Sequence, residues 1–324
     1  MLQMKDATNI SPFGYAELLR NIQELSSLGR CDSFGEVVTT LYHKKSVYKR
    51  SVGSVPATLA LETVDCEGPI SEYELHLVYK HCPKLKNLRL VYNPVVSRLS
   101  DSESDCPDLA IISKLPNLTQ LCVMSADFYS HSLFTVVTGM GSRLTKVELS
   151  NVDELNLASL VMIGDHCMQI TSLAICCCHY TPEHSDRGKL EQLCTPQART
   201  GDSRPFYRLK SATFILTTPA HLPIMKYPLF FATNLEELKL NQIYQPLEDT
   251  FLSSLVSWNP LQSLVNFTLT PGPHFTLMAA NILIQACPRI QYIGKVSTWG
   301  RVEREELVAF KREIVARNME LTID

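Results

Sequence analysis

Residues 118–123 read Leu-Thr-Gln-Leu-Cys-Val, and residues 144–149, 26 positions later, read Leu-Thr-Lys-Val-Glu-Leu. After another 26 positions, residues 170–175 read Ile-Thr-Ser-Leu-Ala-Ile. Each stretch has an aliphatic residue at its first, fourth and sixth places and smaller or polar residues between. The fourth and sixth places share one side of an extended chain, because strand side chains alternate between faces. The pattern recurs at Leu85, Leu88 and Leu90, at Leu235, Leu238 and Leu240, and at Leu264, Phe267 and Leu269. Leu209, Ala212 and Phe214 form a weaker copy, Ile290 and Ile293 begin an incomplete one, and Leu59 and Leu61 suggest a degenerate first copy. The 26-residue step appears again from Leu209 to Leu235 and from Leu264 to Ile290. Unrelated apolar runs would not return at one interval; steps of 33, 39 and 29 between other copies mark insertions.

Helical periodicity fills the intervals at residues 73–80, 157–163, 247–255 and 277–286. Asp153, Glu154 and Asn156 favour a helix start before the second of these. A strand and a helix within about 20–29 residues is the unit of a leucine-rich repeat. One unit cannot bury its own apolar faces, so neighbours stack. The expected fold is an α/β leucine-rich-repeat solenoid, with a curved parallel sheet inside and helices outside. Residues 54–296 hold the repeats. Residues 1–53 are expected to be a helical cap or degenerate repeats, with helices at 15–28 and 34–44, the second capped by Ser33. Residues 297–324 are expected to form a C-terminal capping helix over 301–318, with Leu307, Phe310 and Ile314 on its apolar stripe.

Composition narrows the function. A net charge of −3 with no long basic run offers no electrostatic footprint for nucleic acid. No stretch approaches 18 apolar residues, and the first 30 residues lack the apolar core of a signal peptide, so no membrane partner is expected. Eleven scattered cysteines suit reduced thiols in the cytoplasm or nucleus. The sequons at Asn117 and Asn266 fall in expected strands and read as chance.

Three copies carry a cysteine three residues before the first leucine: Cys82, Cys167 and Cys287. Two continue as Cys-Pro, in CPKLKNLRL and CPRIQYI, with LPNLTQLCV a close variant. The slot eight residues after the first leucine holds Asn93 in one copy and Cys178 in another. Across residues 54–296 this resembles the cysteine-containing leucine-rich repeat of F-box proteins, the substrate receptors of cullin-type ubiquitin ligases. The resemblance implies a protein-interaction module with protein partners, ligase subunits among them. An F-box opens on Leu-Pro and ends near a Trp, and residues 1–53 contain neither feature.

Other motifs point to no chemistry. Cys176-Cys177-Cys178-His179, with His184 and Cys194 nearby, lacks the paired spacing of a structural zinc site, and consecutive strand residues point to alternate faces. Cys176 with His179 or His184 could make a nucleophile and base, the remote alternative of a cysteine-dependent enzyme. The G-x-S-x-G, H-E-x-x-H and P-loop patterns are absent, so no catalysis and no cofactor is expected. Gly139-Met140-Gly141 reads as a helix C-cap. The acidic serine-rich stretch 100–105 and the insertion 181–205 read as solvated loops leaving one edge of the sheet.

Binding is expected on the concave sheet face, at the places between the motif leucines. Those places hold Arg89, then Cys122 and Met124, then Lys146 and Glu148, then Ala174 and Cys176, and last Glu237, Lys239 and Asn241. Soft or small residues at the centre with mixed charges around them suit a protein interface. A stand-alone scaffold or inhibitor with no ligase link fits the same features.

Overall fold

A computed structural model describes residues 2–4, 10–42, 55–67, 70–91, 109–124, 130–152, 155–180, 186–195, 204–216, 222–242, 248–270, 274–317 and 319–324. They form two compact units, residues 1–153 and 154–324.

In the first unit β1 (Leu2–Met4), α1 (Pro12–Asn21), β2 (Leu25–Cys31), α2 (Phe34–Tyr42), β3 (Thr63–Glu67) and α3 (Glu72–His81) follow in turn. They continue with β4 (Asn87–Val91), a 3-10 turn (Leu109–Lys114), β5 (Gln120–Met124), α4 (Ser130–Met140) and β6 (Lys146–Ser150). The six strands are parallel and lie side by side in chain order.

The second unit begins with α5 (Leu157–His166), β7 (Ser172–Cys176), α6 (Asp186–Leu193), β8 (Ser211–Leu216), α7 (Leu222–Phe231) and β9 (Glu237–Gln242). It ends with α8 (Asp249–Trp258), β10 (Asn266–Thr270), α9 (Leu277–Ala286), β11 (Tyr292–Gly294), α10 (Arg304–Ala316) and β12 (Thr322–Ile323). Its strands are likewise parallel and in chain order. Each unit is an α/β leucine-rich-repeat solenoid.

The motif leucines build the core. Leu88, Leu90, Leu121, Val123, Val147 and Leu149 are buried in the first unit, and Leu173, Ile175, Leu238, Leu240, Phe267 and Leu269 in the second. The residues between them are mostly half-buried or exposed. The sheet therefore has one face under helices and one face open.

The helix-to-strand junction explains the cysteines. Cys82, Cys167 and Cys287 each end a helix, donating a backbone N–H to the carbonyl four residues back at 2.8 Å. Their own carbonyls then accept from the first motif aliphatics, Leu85, Ile170 and Ile290. All three side chains are fully buried. A small apolar thiol fits where the chain turns sharply beneath the core. Ile22, Ala232 and Leu261 make the same bond to Leu25, Leu235 and Leu264.

Local capping sets where helices begin. The Ser71 hydroxyl accepts from Glu74 N at 3.3 Å while the Glu74 carboxylate accepts from Ser71 N at 2.7 Å, a reciprocal cap on α3. Asn156 Oδ1 accepts from Ser159 N at 2.9 Å and starts α5. Gly164 is needed within α5, because a Cβ there would stand 2.8 Å from the Phe206 ring and from Pro205.

Several expectations are revised. Residues 25–28 belong to strand β2, not to a helix over 15–28; Leu25 and Leu28 are buried in the repeat manner. The first clear motif copy is Leu61, Val64 and Cys66, since Val64 pairs with Leu88 and Cys66 with Leu90. Gly139 lies inside α4, where Ser113 packs against it at 2.6 Å from a would-be Cβ, so it is a close-approach glycine and not a cap. Within the insertion at 181–205, residues 186–193 form helix α6, tied down by Tyr180 donating to the buried Asp186 carboxylate at 2.6 Å. Residues 100–105 and Asn93 lie outside the described residues.

Candidate functional site

In the first unit, strand register arranges the open-face side chains in rows. One row runs Arg30, Asp65, Arg89, Cys122 and Glu148 across β2 to β6. A second runs Glu67, Val91, Met124 and Ser150, and a third Thr63, Asn87, Gln120 and Lys146. The expected residues Arg89, Cys122, Met124, Lys146 and Glu148 are thus brought together on one surface.

The charges on this surface neutralise one another. Arg30 pairs with Glu67, Arg89 with Asp65 at 3.4 Å, and Lys146 with Glu148 at 3.1 Å. Burial works to lower the Arg89 pKa, but the charges of Asp65, Cys122, Glu148 and Glu67 together raise it. Arg89 stays cationic in either case. Asp65 Oδ1 and Arg89 Nε are buried without a hydrogen-bond partner among the described residues.

Cys122 departs from the expectation of a soft, accessible centre. It is only 6% exposed, a short side chain flanked in register by the longer Arg89 and Glu148. Burial, and then the Glu148 charge, push its thiol up to about 12. Arg30, Asp65 and Glu67 belong to this surface and were missed, because β3 carries valine and cysteine where the pattern asks for leucine and a register shift between Leu28 and Arg30 breaks the spacing in β2. The signal that could have found Asp65 and Glu67 is the spacing Leu61, Val64, Cys66.

In the second unit, Ala174 pairs in register with Thr213, and Thr213 with Lys239. Cys176, Ile215 and Asn241 form the next row. Glu237 and Lys239 form an ion pair of 2.8 Å, and Ser211 donates to Glu237 at 2.8 Å. These two contacts, led by Lys239, lower the Glu237 pKa against the opposing effect of burial. The five expected residues Ala174, Cys176, Glu237, Lys239 and Asn241 therefore share one open face, more neutral and hydroxyl-rich than that of the first unit.

The cysteine run separates because β7 ends at Cys176 and strand alternation stops there, so Cys178 does not share the face of Cys176. Cys176 is half-buried on the open side, Cys177 takes a left-handed backbone with φ of 53°, and Cys178 is buried with its thiol donating to Cys176 O at 3.6 Å. His179 is exposed, and His184 lies outside the described residues. Among the described residues, no group of three His, Cys, Asp or Glu side chains is placed to hold a metal ion. No helix of the described residues is long and apolar enough to cross a membrane.

No family model and no curated protein matches this chain. Among solved structures it is similar to a chain from the crystal structure of the Rad7 and Elc1 complex in yeast, at 16% identity. That likeness covers 93% of this chain and 74% of the other with a TM-score of 0.43, too distant to add to what the strands themselves show.

Proposed function

We propose that this chain is a protein-binding module and not a catalyst, and that it selects substrates for a cullin-type ubiquitin ligase in the cytoplasm or nucleus. The observation that carries the binding role is the open sheet face of the first unit. There Arg30, Asp65, Arg89 and Glu148 stand in one register row while the leucines of the same strands are buried behind them. Mixed, locally neutralised charge on a rigid parallel sheet suits a protein surface better than a polyanion. The ligase role rests on the resemblance of the repeats carrying Cys82, Cys167 and Cys287 to those of F-box proteins. A stand-alone scaffold or inhibitor is the second reading. One observation supports it: the described residues of 2–4 and 10–42 alternate strand and helix, as repeats do.

Tagged purification from cells, with co-purifying proteins identified by mass spectrometry, separates these readings. A cullin with its small adaptor supports the receptor role; other partners without ligase subunits support the scaffold. Reversing charge at Lys146 and Glu148, or at Lys239, should then lower capture of the main partner by about tenfold or more. Unchanged capture by both variants would place the binding surface elsewhere.

A further inference from the structure

Helix α10 has two faces, and only one of them is used. Leu307, Phe310 and Ile314 are buried against the second unit. The opposite face, at helical spacing, presents Glu305, Val308, Ala309 and Arg312, with Val315 at its edge. Val308 is 42% and Val315 74% exposed, large apolar side chains left in water. Arg304, Glu305, Val308, Ala309 and Arg312 line a shallow surface groove of about 380 Å³. Glu305 and Arg312 form no ion pair among the described residues, although Arg317 on the same helix pairs with Glu313.

The order of these residues is self-complementary. Glu305 and Arg312 lie at equal distances on either side of the point between Val308 and Ala309. All four share the outward face, since their spacings of three, one and three residues follow the helical period. If a second copy of the helix is laid antiparallel across that point, each Glu305 meets the partner's Arg312. The valines and alanines then meet at the centre. One patch thereby recognises itself, as a two-fold isologous contact requires. A different partner would need this charge order supplied from outside; a second copy already holds it.

We propose that the outward face of α10 is a homodimer interface, with Glu305 and Arg312 as the reciprocal ion pairs and Val308 and Ala309 as the apolar centre. One helix face falls short of the about 1,600 Å² that a standard interface buries. The dimer is therefore a weak one, in the micromolar range, and is weakened further by salt.

The test uses sedimentation equilibrium of the full chain from about 1 µM to about 1 mM, where an association of this strength is measurable. Glu305→Arg and Arg312→Glu each set two like-charged pairs at the contact and should weaken self-association about tenfold or more. The double variant Glu305→Arg with Arg312→Glu restores opposite pairs and should dimerise again. The two single variants, mixed, should form a heterodimer that neither forms alone. Both substitutions are on exposed side chains, so unchanged circular dichroism serves as the control for folding. A wild-type chain that stays monomeric throughout, or a dimer indifferent to the single reversals, would overturn the proposal.

Discussion

Asn259 shows how one side chain can hold neighbouring repeats together. It is buried just after α8, and its Nδ2 donates to Leu229 O at 2.7 Å and to Ala232 O at 3.0 Å. Its Oδ1 accepts from Leu261 N at 3.1 Å. These three bonds tie the end of one helix to the end of the previous helix and to the junction that follows. Asn259→Leu fills the same space but leaves the Leu229 carbonyl and the Leu261 N–H without this partner, and the Ala232 carbonyl with only its bond from Leu235 N. The expected cost is about 2–4 kcal/mol, read as a lower urea midpoint with an unchanged slope. Nothing in the sequence marked Asn259, because two of its three partners are backbone carbonyls 30 and 27 residues away.

At the scale of the element, the strand is the unit that separates stability from function. Phe267 and Thr268 are adjacent in β10, yet Phe267 is fully buried while Thr268 is half-buried on the open face. Phe267→Ala removes a core ring and should cost about 3–5 kcal/mol. Thr268→Ala should change stability by no more than about 0.5 kcal/mol. Thermal or urea unfolding of the two variants checks the pair, and equal effects would contradict the assigned facing. This alternation was readable in advance wherever leucine held the core places. It was not readable in β2, where a register shift between Leu28 and Arg30 breaks the regular spacing.

At the scale of the whole molecule, the cysteines give stability a particular dependence on pH. Burial pushes the thiols of Cys66, Cys82, Cys167 and Cys287 from the ordinary value of 9.0 up to about 12. A raised folded-state pKa contributes stability that is fully present below the unfolded value and is lost as pH rises through the folded one. Stability should therefore hold up to about pH 9 and decline toward pH 12. The urea midpoint at pH 8 compared with that at pH 10.5 measures the decline. Replacing Cys82, Cys167 and Cys287 together by alanine should make it shallower, with Cys66 and Cys122 still contributing.

The repeat, its parallel α/β architecture and the two faces of most strands were determined by the sequence alone. A period of 26 residues with aliphatic places one, four and six admits one way of burying those side chains. The residues between them then had to face outward, which is why Arg89, Lys146, Glu148, Glu237 and Lys239 were legible as surface. Tertiary structure decided what the pattern leaves free. It brought Arg30, Asp65 and Glu67 onto the surface of Arg89, buried Cys122 between longer neighbours, and turned residues 186–193 into a helix. These outcomes depend on which strand lies next to which and on how long the adjacent side chains are. A linear pattern specifies facing, and only packing specifies neighbours.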